Sequence, residues 1–171
     1  LKNKKIDLIV SGINHGSNSS ISVLYSGTMS AAIEGAIENI PSIGFSLCDY
    51  DPNAYLKHSK PFIKMVIENA LKNGIPESIA LNVNIPSISD EKIKGFKICK
   101  QANAVWEEKF DKRIDPYGRE YFWMYGNLVN NDKGKDNDEW AIKNNYISIV
   151  PCKFNLSSNK GTDYLKEKWK F

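Results

Sequence analysis

The sequence predicts a three-layer α/β fold with a parallel sheet, an antiparallel β-hairpin extension and a C-terminal helix. Through the first half of the chain, short apolar runs alternate with longer runs whose apolar residues recur at helical spacing. This order is typical of strands joined by crossover helices. After Pro86 the pattern changes, and aromatic residues alternate beside a turn that contains Pro116 and Gly118, as in an antiparallel hairpin.

Composition and charge exclude several classes of protein. The chain has 171 residues, enough for one domain with its own core. Its net charge of +3 is too mild to predict a nucleic acid polymer or an acidic membrane as partner. Since it shows no apolar run of membrane-spanning length, no signal pattern and no framework spacing of its three cysteines, we predict a cytoplasmic protein.

The first strand and helix are predicted from residues 6–10 and 27–39. The strand is expected to be buried on both faces, because its apolar residues are continuous rather than alternating. Ser26 or Thr28 can cap the start of the helix, and Pro41 stops it.

Two more strands and one helix complete the predicted parallel core. The strands cover residues 42–47 and 80–85, and the amphipathic helix between them covers 53–73 or begins at Pro61. The alternation of strand and helix predicts a parallel sheet with right-handed crossovers.

The second half is predicted to hold two strands, a hairpin and a terminal helix. The predicted elements are strands at 95–101 and 146–150 (ended by Pro151), hairpin arms at 106–110 and 120–125, a loop at 127–139 and a helix at 162–169.

Small polar residues crowd the loop after the first strand, residues 11–18. In parallel α/β sheets, ligands bind beyond the carboxyl ends of the strands. Gly12 and Gly16 would allow close approach of a ligand. The helix start at Ser26-Gly27-Thr28 would suit a phosphate, and the Asn14 oxygen would suit a hard cation such as Mg²⁺. Such a loop also forms for reasons of turn geometry alone, so both interpretations stay open.

A metal site needs carboxylates, and the sequence offers four near this loop. Glu34 and Glu38 lie on the following helix, whereas Asp49 and Asp51 follow the second strand and could reach the site. The two histidines, His15 and His58, are isolated, so we interpret them as surface residues. No ordered Ser-His-Asp set is present.

Three runs of the sequence, DLIVSGINHGSN, VLYSGTMSAAIEGA and IPSIGFS, closely resemble signature runs of the SurE family, the survival-protein 5′-nucleotidases. The strand LNVNIP, the hairpin region KQANAVWEEKFDKRIDPYGREYFWMYG and the segment NDEWAIKNNYISIVP are similar to later parts of the family pattern. The resemblance runs over essentially the whole chain. It implies the Rossmann-like three-layer parallel sheet of that family. One departure from the family pattern is Asn145, which stands where the family usually has Gly.

The resemblance implies a metal-dependent phosphomonoesterase that hydrolyses nucleoside 5′- and 3′-monophosphates. It places Asn14 as metal ligand and catalytic residue, with one Mg²⁺ or Mn²⁺ in each subunit. It places Ser26, Gly27 and Thr28 on the phosphate, and Asn18 either on the phosphate or in a role that holds the loop's shape. The family's remaining metal ligands, an Asp pair in TNDDG and a Ser, have no counterpart in this chain.

The absence of the Asp pair and the Ser from this chain determines the domain organisation that we expect. We expect residues 1–171 to form a single SurE-like domain without its N-terminal third, with an α/β core at 1–94 and a hairpin and oligomerisation segment at 95–171. We therefore expect this chain alone to be inactive. Two alternatives stay open beside nucleotide hydrolysis: exopolyphosphatase activity, and an inactive phosphate-binding or oligomerising fragment.

The aromatic hairpin predicts a contact with another molecule. Its aromatic residues could stack on a nucleobase, but we favour a subunit interface, since hairpin and tail exchange between subunits in the family. We thus expect a homodimer or homotetramer.

Overall fold

The fold is known from a computed structural model that describes residues 5–171. The strands are β1 Ile9–His15, β2 Ser42–Cys48, β3 Ile79–Pro86, β4 Phe96–Ile98, β5 Ala104–Ile114, β6 Glu120–Asn130 and β7 Ile147–Lys153. The helices are α1 Gly27–Ile37, α2 Lys60–Asn73, α3 Asp138–Lys143 and α4 Asn159–Lys168. Single 3-10 turns cover Ser20–Tyr25, Leu56–Ser59 and Asp90–Lys92.

Five strands form one sheet in the order β1-β2-β3-β7-β4. The predicted parallel arrangement of β1, β2 and β3 is confirmed. The sheet as a whole is mixed, because β7 runs antiparallel to β3 and β4 runs parallel to β7. From the hairpin the chain passes through α3 and then enters β7, which pairs with β3.

Helices cover both faces of the sheet, which confirms the three layers. On one face, Met29 of α1 packs over Gly44 of β2. On the other, Val66 and Ala70 of α2 pack with Phe45 and Val83 in the main core cluster. Since β1, β2 and β3 lie side by side in that order, helices on opposite faces give the two crossovers opposite hands. The prediction that both crossovers are right-handed is therefore wrong for one of them.

The first strand lies at an edge of the described sheet, so the prediction of burial on both faces is wrong. Val10 keeps 45% of its surface exposed. The strand also begins and ends later than predicted, because pairing with β2 continues from Ile9 as far as His15. Residues 11–15, predicted as loop, therefore belong to β1.

Two prolines lie near predicted boundaries, Pro61 at the start of α2 and Pro151 within β7. Of the two predicted starts for α2, the later is correct, with Pro61 in the first turn of the helix. Pro151 was predicted to end β7, but it pairs with Leu81 and the strand runs to Lys153. Since β4 pairs with β7 only as far as Ile149, Pro151 sits where one side of β7 is open and its missing N–H is tolerated.

The hairpin is longer than predicted and stands apart from the main sheet. Strands β5 and β6 pair with each other in a two-stranded sheet, from Ala104↔Asn130 to Ile114↔Glu120. The predicted loop at 127–139 is wrong at both ends, because β6 runs into it and α3 begins at Asp138. At Asn145, φ is +69°, so Asn adopts the left-handed geometry that the family's Gly would allow.

Candidate functional site

The candidate site lies at the edge of the sheet where β1, β2 and β3 end. One row of paired residues crosses this edge: Asn14 pairs with Ser46, and Ser46 with Asn84. Asn84 pairs in turn with Ser148 of β7. A row of polar side chains across four neighbouring strands is unusual for a buried sheet, because each buried polar group needs a hydrogen-bond partner.

Two glycines shape the chain around Asn14. At Gly12, φ is +108°, and a Cβ would lie 2.3 Å from the carbonyl oxygen of Phe45. The register between β1 and β2 shifts at this point, so Asn14 falls opposite Ser46. At Gly16, φ is +89°, and a Cβ would lie 2.3 Å from the Tyr50 ring. Only glycine fits either position.

Asn14 itself is half-buried at the end of β1. Its side-chain nitrogen donates to the carbonyl oxygen of Gly16 at 2.9 Å. This hydrogen bond turns the amide so that the side-chain oxygen is the atom left to accept a donor or to bind a cation.

The short loop that follows, residues 16–19, is held by asparagines from β3. The N–H of Asn18 donates to Asn84 Oδ1 at 2.8 Å, and its carbonyl oxygen accepts from Asn82 Nδ2 at 2.8 Å. Its side-chain nitrogen donates to Ser46 Oγ at 2.6 Å. Asn18 is 6% exposed. Of its two predicted roles, the structure therefore favours holding the loop's shape over contact with a phosphate.

Helix α3 holds the other end of the loop through Asp138. This carboxylate is fully buried and accepts the N–H groups of Ser20, Ala102 and Glu139 at 2.8–2.9 Å. Ser20 has φ +54°, a left-handed geometry that a non-glycine residue adopts only when its surroundings fix it. Its hydroxyl lies 2.9 Å from the Ala104 N–H, which donates to it.

Glu139 faces the same loop. Its carboxylate accepts a short hydrogen bond from the Ser19 hydroxyl, and the Ser17 hydroxyl lies 2.5 Å from that of Ser19. Burial raises the pKa of Glu139, against the lowering effect of the Ser19 hydrogen bond. Burial likewise raises the pKa of Asp138, opposed by the backbone N–H groups that it accepts.

The start of α1 lies over the same edge, one strand from Asn14. The Thr28 carbonyl oxygen would be 3.5 Å from a Cβ at Gly44, and Gly44 pairs with Ser11 of β1. Ser26 caps the helix, as predicted, because its Oγ accepts the Met29 N–H at 3.0 Å. The Gly27 and Thr28 N–H groups belong to the first turn, where the helix offers them no carbonyl partner.

The predicted phosphate residues thus fall into two groups. Gly27 is exposed and no atom lies within 4 Å of a Cβ built on it, so the helix start is open to a ligand. Ser26 is buried and engaged in capping, so its hydroxyl supports the helix start. The positive end of the helix dipole at Gly27 and Thr28 favours an anion.

Of the carboxylates named from sequence, Asp49 lies at the loop. Its carbonyl oxygen accepts the Gly16 N–H at 2.7 Å, and its side chain accepts from the Ser87 hydroxyl at 2.6 Å. That hydrogen bond lowers the pKa of Asp49. The Asp51 side chain instead accepts the N–H of Asn53. Glu34 on α1 and Glu38 just after it are exposed.

Sequence reasoning missed Ser46, Asn82, Asn84, Asp138 and Glu139. A signal for two of them was present. Asn82 and Asn84 alternate within a buried strand, where Asn is disfavoured, and a spacing of two puts both on one face. Asp138 and Glu139 lie inside the predicted loop at 127–139 and showed no pattern of their own.

The three cysteines behave as small apolar residues. All three are free. Burial raises the pKa of Cys48 to about 12 and those of Cys99 and Cys152 to about 11 each. They are therefore neutral thiols at physiological pH, which makes them poor nucleophiles.

The described residues supply only part of the ligand set that a divalent metal needs. Residues 5–171 contain no group of three or more His, Cys, Asp or Glu side chains placed to hold a metal ion. Asn14 offers one neutral oxygen, and hard cations prefer several oxygens with carboxylates among them. The donor set of the described residues does not by itself fit Mg²⁺ or Mn²⁺.

Fold and site together define an α/β protein with an open helix start beside a polar strand edge. The family model of survival protein SurE matches residues 1–108. The chain belongs to the SurE family, as the resemblance predicted.

Curated relatives and a solved structure agree with this. The chain is 58% identical over all its 171 residues to the 5′-nucleotidase SurE of Cytophaga hutchinsonii, and 58% identical over 156 residues to that of Flavobacterium psychrophilum. It covers 66% and 61% of these relatives, so it spans less than two thirds of their length. The crystal structure of the SurE protein from Aquifex aeolicus matches 97% of the chain at 37% identity, with a TM-score of 0.84, and is covered to 66%.

No helix in the part of the chain that the structure describes is both long and apolar enough to cross a membrane. The predicted cytoplasmic location stays a prediction.

Replacing Asp138 by Asn should destabilise the fold. One carboxylate oxygen would become an amide nitrogen that faces a backbone N–H, so at least one buried donor loses its acceptor. We expect the free energy of unfolding in urea to fall by about 1–3 kcal/mol. Asp163→Asn on exposed α4 is the control and should change it little; equal effects of both variants would contradict the role of Asp138.

Replacing Glu139 by Gln should alter the pH dependence of stability. Gln keeps an oxygen that accepts from Ser19 but removes a buried charge. Because the folded pKa of Glu139 is raised above its ordinary value of 4.5, the folded wild type binds more protons than the unfolded chain, and its stability falls as pH rises through that window. The Glu139→Gln variant should therefore gain stability relative to wild type as the pH rises above the ordinary pKa of 4.5, measured by urea unfolding. An unchanged difference across this range would sink the idea.

Proposed function

We propose that this chain forms part of a phosphomonoesterase that hydrolyses nucleoside 5′-monophosphates, and also 3′-monophosphates, to nucleoside and phosphate. The observation that carries the proposal is the open start of α1 at Gly27 and Thr28, which lies over β2 beside the row that begins with Asn14. Free N–H groups there would bind the phosphate and stabilise the negative charge that develops during its transfer. The names of the curated relatives support the nucleotide as substrate.

The rigid loop supports this function indirectly. The loop between β1 and the 3-10 turn is tied to β3 by the Asn18–Asn84 hydrogen bond and to α3 by the Ser19–Glu139 hydrogen bond. A reacting phosphate needs its partners held within a few tenths of an ångström, which packed and hydrogen-bonded supports provide.

We further propose that catalysis requires one Mg²⁺ or Mn²⁺ in each subunit. Such an ion polarises the phosphoryl group and lowers the pKa of a bound water. Asn14 would supply one oxygen ligand, and Gly16 orients it. Since the described residues lack the carboxylates for the rest, we propose that the chain Leu1–Phe171 alone binds the ion weakly and is inactive.

Polyphosphate is the alternative substrate of the same site. A helix start that binds one phosphoryl group would accept the end of a phosphate chain equally well, because its N–H groups contact the phosphate and not the nucleoside.

We also propose that the hairpin joins copies of the chain into a homodimer or homotetramer. One face of the β5–β6 ribbon carries an apolar cluster beside Lys112. The register puts Phe110 opposite Met124, and Phe122 lies on the same face two residues before Met124. Phe110, Phe122 and Met124 are each 60–62% exposed. An apolar face of this size on a two-stranded ribbon is typical of an interaction surface.

Activity tests the proposed function. We expect a version of the chain extended to the full length of its curated relatives to release phosphate from 5′-AMP with Mg²⁺ or Mn²⁺, and the chain Leu1–Phe171 to release none. In the extended version, Asn14→Ala should lower kcat/KM at least about tenfold, because the proposed metal ligand is lost. Asn73→Ala, an exposed asparagine at the end of α2, is the matched control.

Phosphate release is measured on 5′-AMP, 5′-GMP, 3′-AMP and short polyphosphate. A preference for polyphosphate over every nucleotide would favour the alternative substrate. Full activity of the short chain, or of Asn14→Ala, would contradict the proposed role of Asn14 and the need for further ligands.

The assembly is tested by light scattering after size-exclusion chromatography. Phe122→Glu puts a charge on the apolar face of the ribbon, so the mass should fall toward that of one chain. Lys109→Glu changes charge on the opposite face of the same ribbon and should leave the mass unchanged. A wild-type chain that is monomeric at tens of micromolar would refute the interface.

A further inference from the structure

A second concave site lies at the carboxyl ends of β2 and β3, on the face of the sheet that α2 covers. This cavity has a volume of about 230 Å³. Its floor is apolar, formed by Leu47 and Ile85 at the strand ends, Phe62 of α2 and Ile93 after the 3-10 turn. Drug-sized ligands need cavities of about 300 Å³ or more, so this one suits a single small ring system.

The rim of the cavity is polar and contains a contact between a histidine and an aspartate. His58 Nδ1 lies 2.9 Å from Asp90 Oδ1, although no aligned hydrogen bond joins them. The Tyr55 ring meets the His58 ring edge-on, with centroids 4.6 Å apart. Side chains with donors and acceptors thus surround an apolar floor, the arrangement that fixes the edge of a flat polar ring.

The charges of the rim select against a phosphate. Among the residues that line the cavity, His58 is the one that can carry a positive charge, and Asp90 faces it. An anion would therefore find no uncompensated cation here. A neutral heterocycle with an apolar face and a hydrogen-bonding edge fits the same surroundings.

One residue connects this cavity to the loop of the phosphate site. The Asp49 carbonyl oxygen accepts the Gly16 N–H at 2.7 Å, and the Asp49 carboxylate accepts the Ser87 hydroxyl at 2.6 Å. Ser87 lines the cavity. Loop and cavity rim are thus separated by two hydrogen bonds and the width of one residue. The start of α1 lies over Gly44 on the opposite face, three residues or roughly 10 Å along β2 from Leu47 of the cavity floor, a length that a nucleoside monophosphate can span.

We infer that this cavity holds the nucleobase of a nucleoside monophosphate whose phosphate lies at the start of α1. The assignment rests on the proposed function, because the phosphate site supplies the other end of the ligand. It makes His58 and Asp90 residues that recognise the base, and it distinguishes a nucleotide from polyphosphate, which has no group for the cavity.

The test uses ¹⁵N-labelled chain Leu1–Phe171 and separate probes in NMR titrations. Adenosine should shift amides of residues 87–93, inorganic phosphate those of Gly27 and Thr28, and AMP both sets. His58→Ala removes part of the polar rim, and Ser89→Trp fills the cavity. Each should weaken adenosine binding at least fivefold and leave ribose 5-phosphate binding unchanged. Lys64→Ala, at an exposed position of α2, is the control.

The outcomes separate the cavity from the phosphate site. Adenosine shifts at 87–93 without phosphate shifts at Gly27 and Thr28 would support the cavity while the proposed function fails. Phosphate shifts without adenosine shifts would overturn the cavity and leave the proposed function standing. Adenosine binding that neither His58→Ala nor Ser89→Trp weakens, with both variants folded by circular dichroism, would also overturn it.

Discussion

Everything at the candidate site depends on the burial of one short piece of polar backbone, residues 17–20. Backbone N–H and carbonyl groups removed from water must find partners, and here side chains supply them. Asn84 and Asn82 take the N–H and carbonyl groups of Asn18, and Asp138 takes the N–H of Ser20. Because these partners come from β3 and α3, the loop is fixed by the sheet and by a helix far away in sequence.

Local sequence patterns were enough to predict the elements whose ends carry a capping residue, a proline or a glycine. Helix α1 begins where Ser26 caps it and ends before Pro41, and Gly74 follows α2 with φ +76°. Elements whose ends depend on pairing could not be predicted from such marks. The pairing of β1 with β2 extends the strand to His15, and an open side of β7 admits Pro151.

The site shows the same division. Gly12, Asn14 and the start of α1 were found from sequence because each has a local chemical reason to be there. The partners of the loop were not, since Asp138 acts on Ser20 across 118 positions of the chain. A buried carboxylate that accepts backbone N–H groups has no periodicity and no spacing rule, so tertiary structure alone reveals it.

The hairpin and the candidate site share a physical connection. The Ser20 hydroxyl accepts the N–H of Ala104, the first residue of β5, and Asp138 holds both Ser20 and Ala102. A two-stranded ribbon is marginally stable alone, so order in β5 depends on what covers its apolar face. The base of that ribbon is also the support of the loop beside Asn14. A partner on the ribbon would therefore steady Ala104, and with it the left-handed geometry of Ser20 in the loop that follows Asn14.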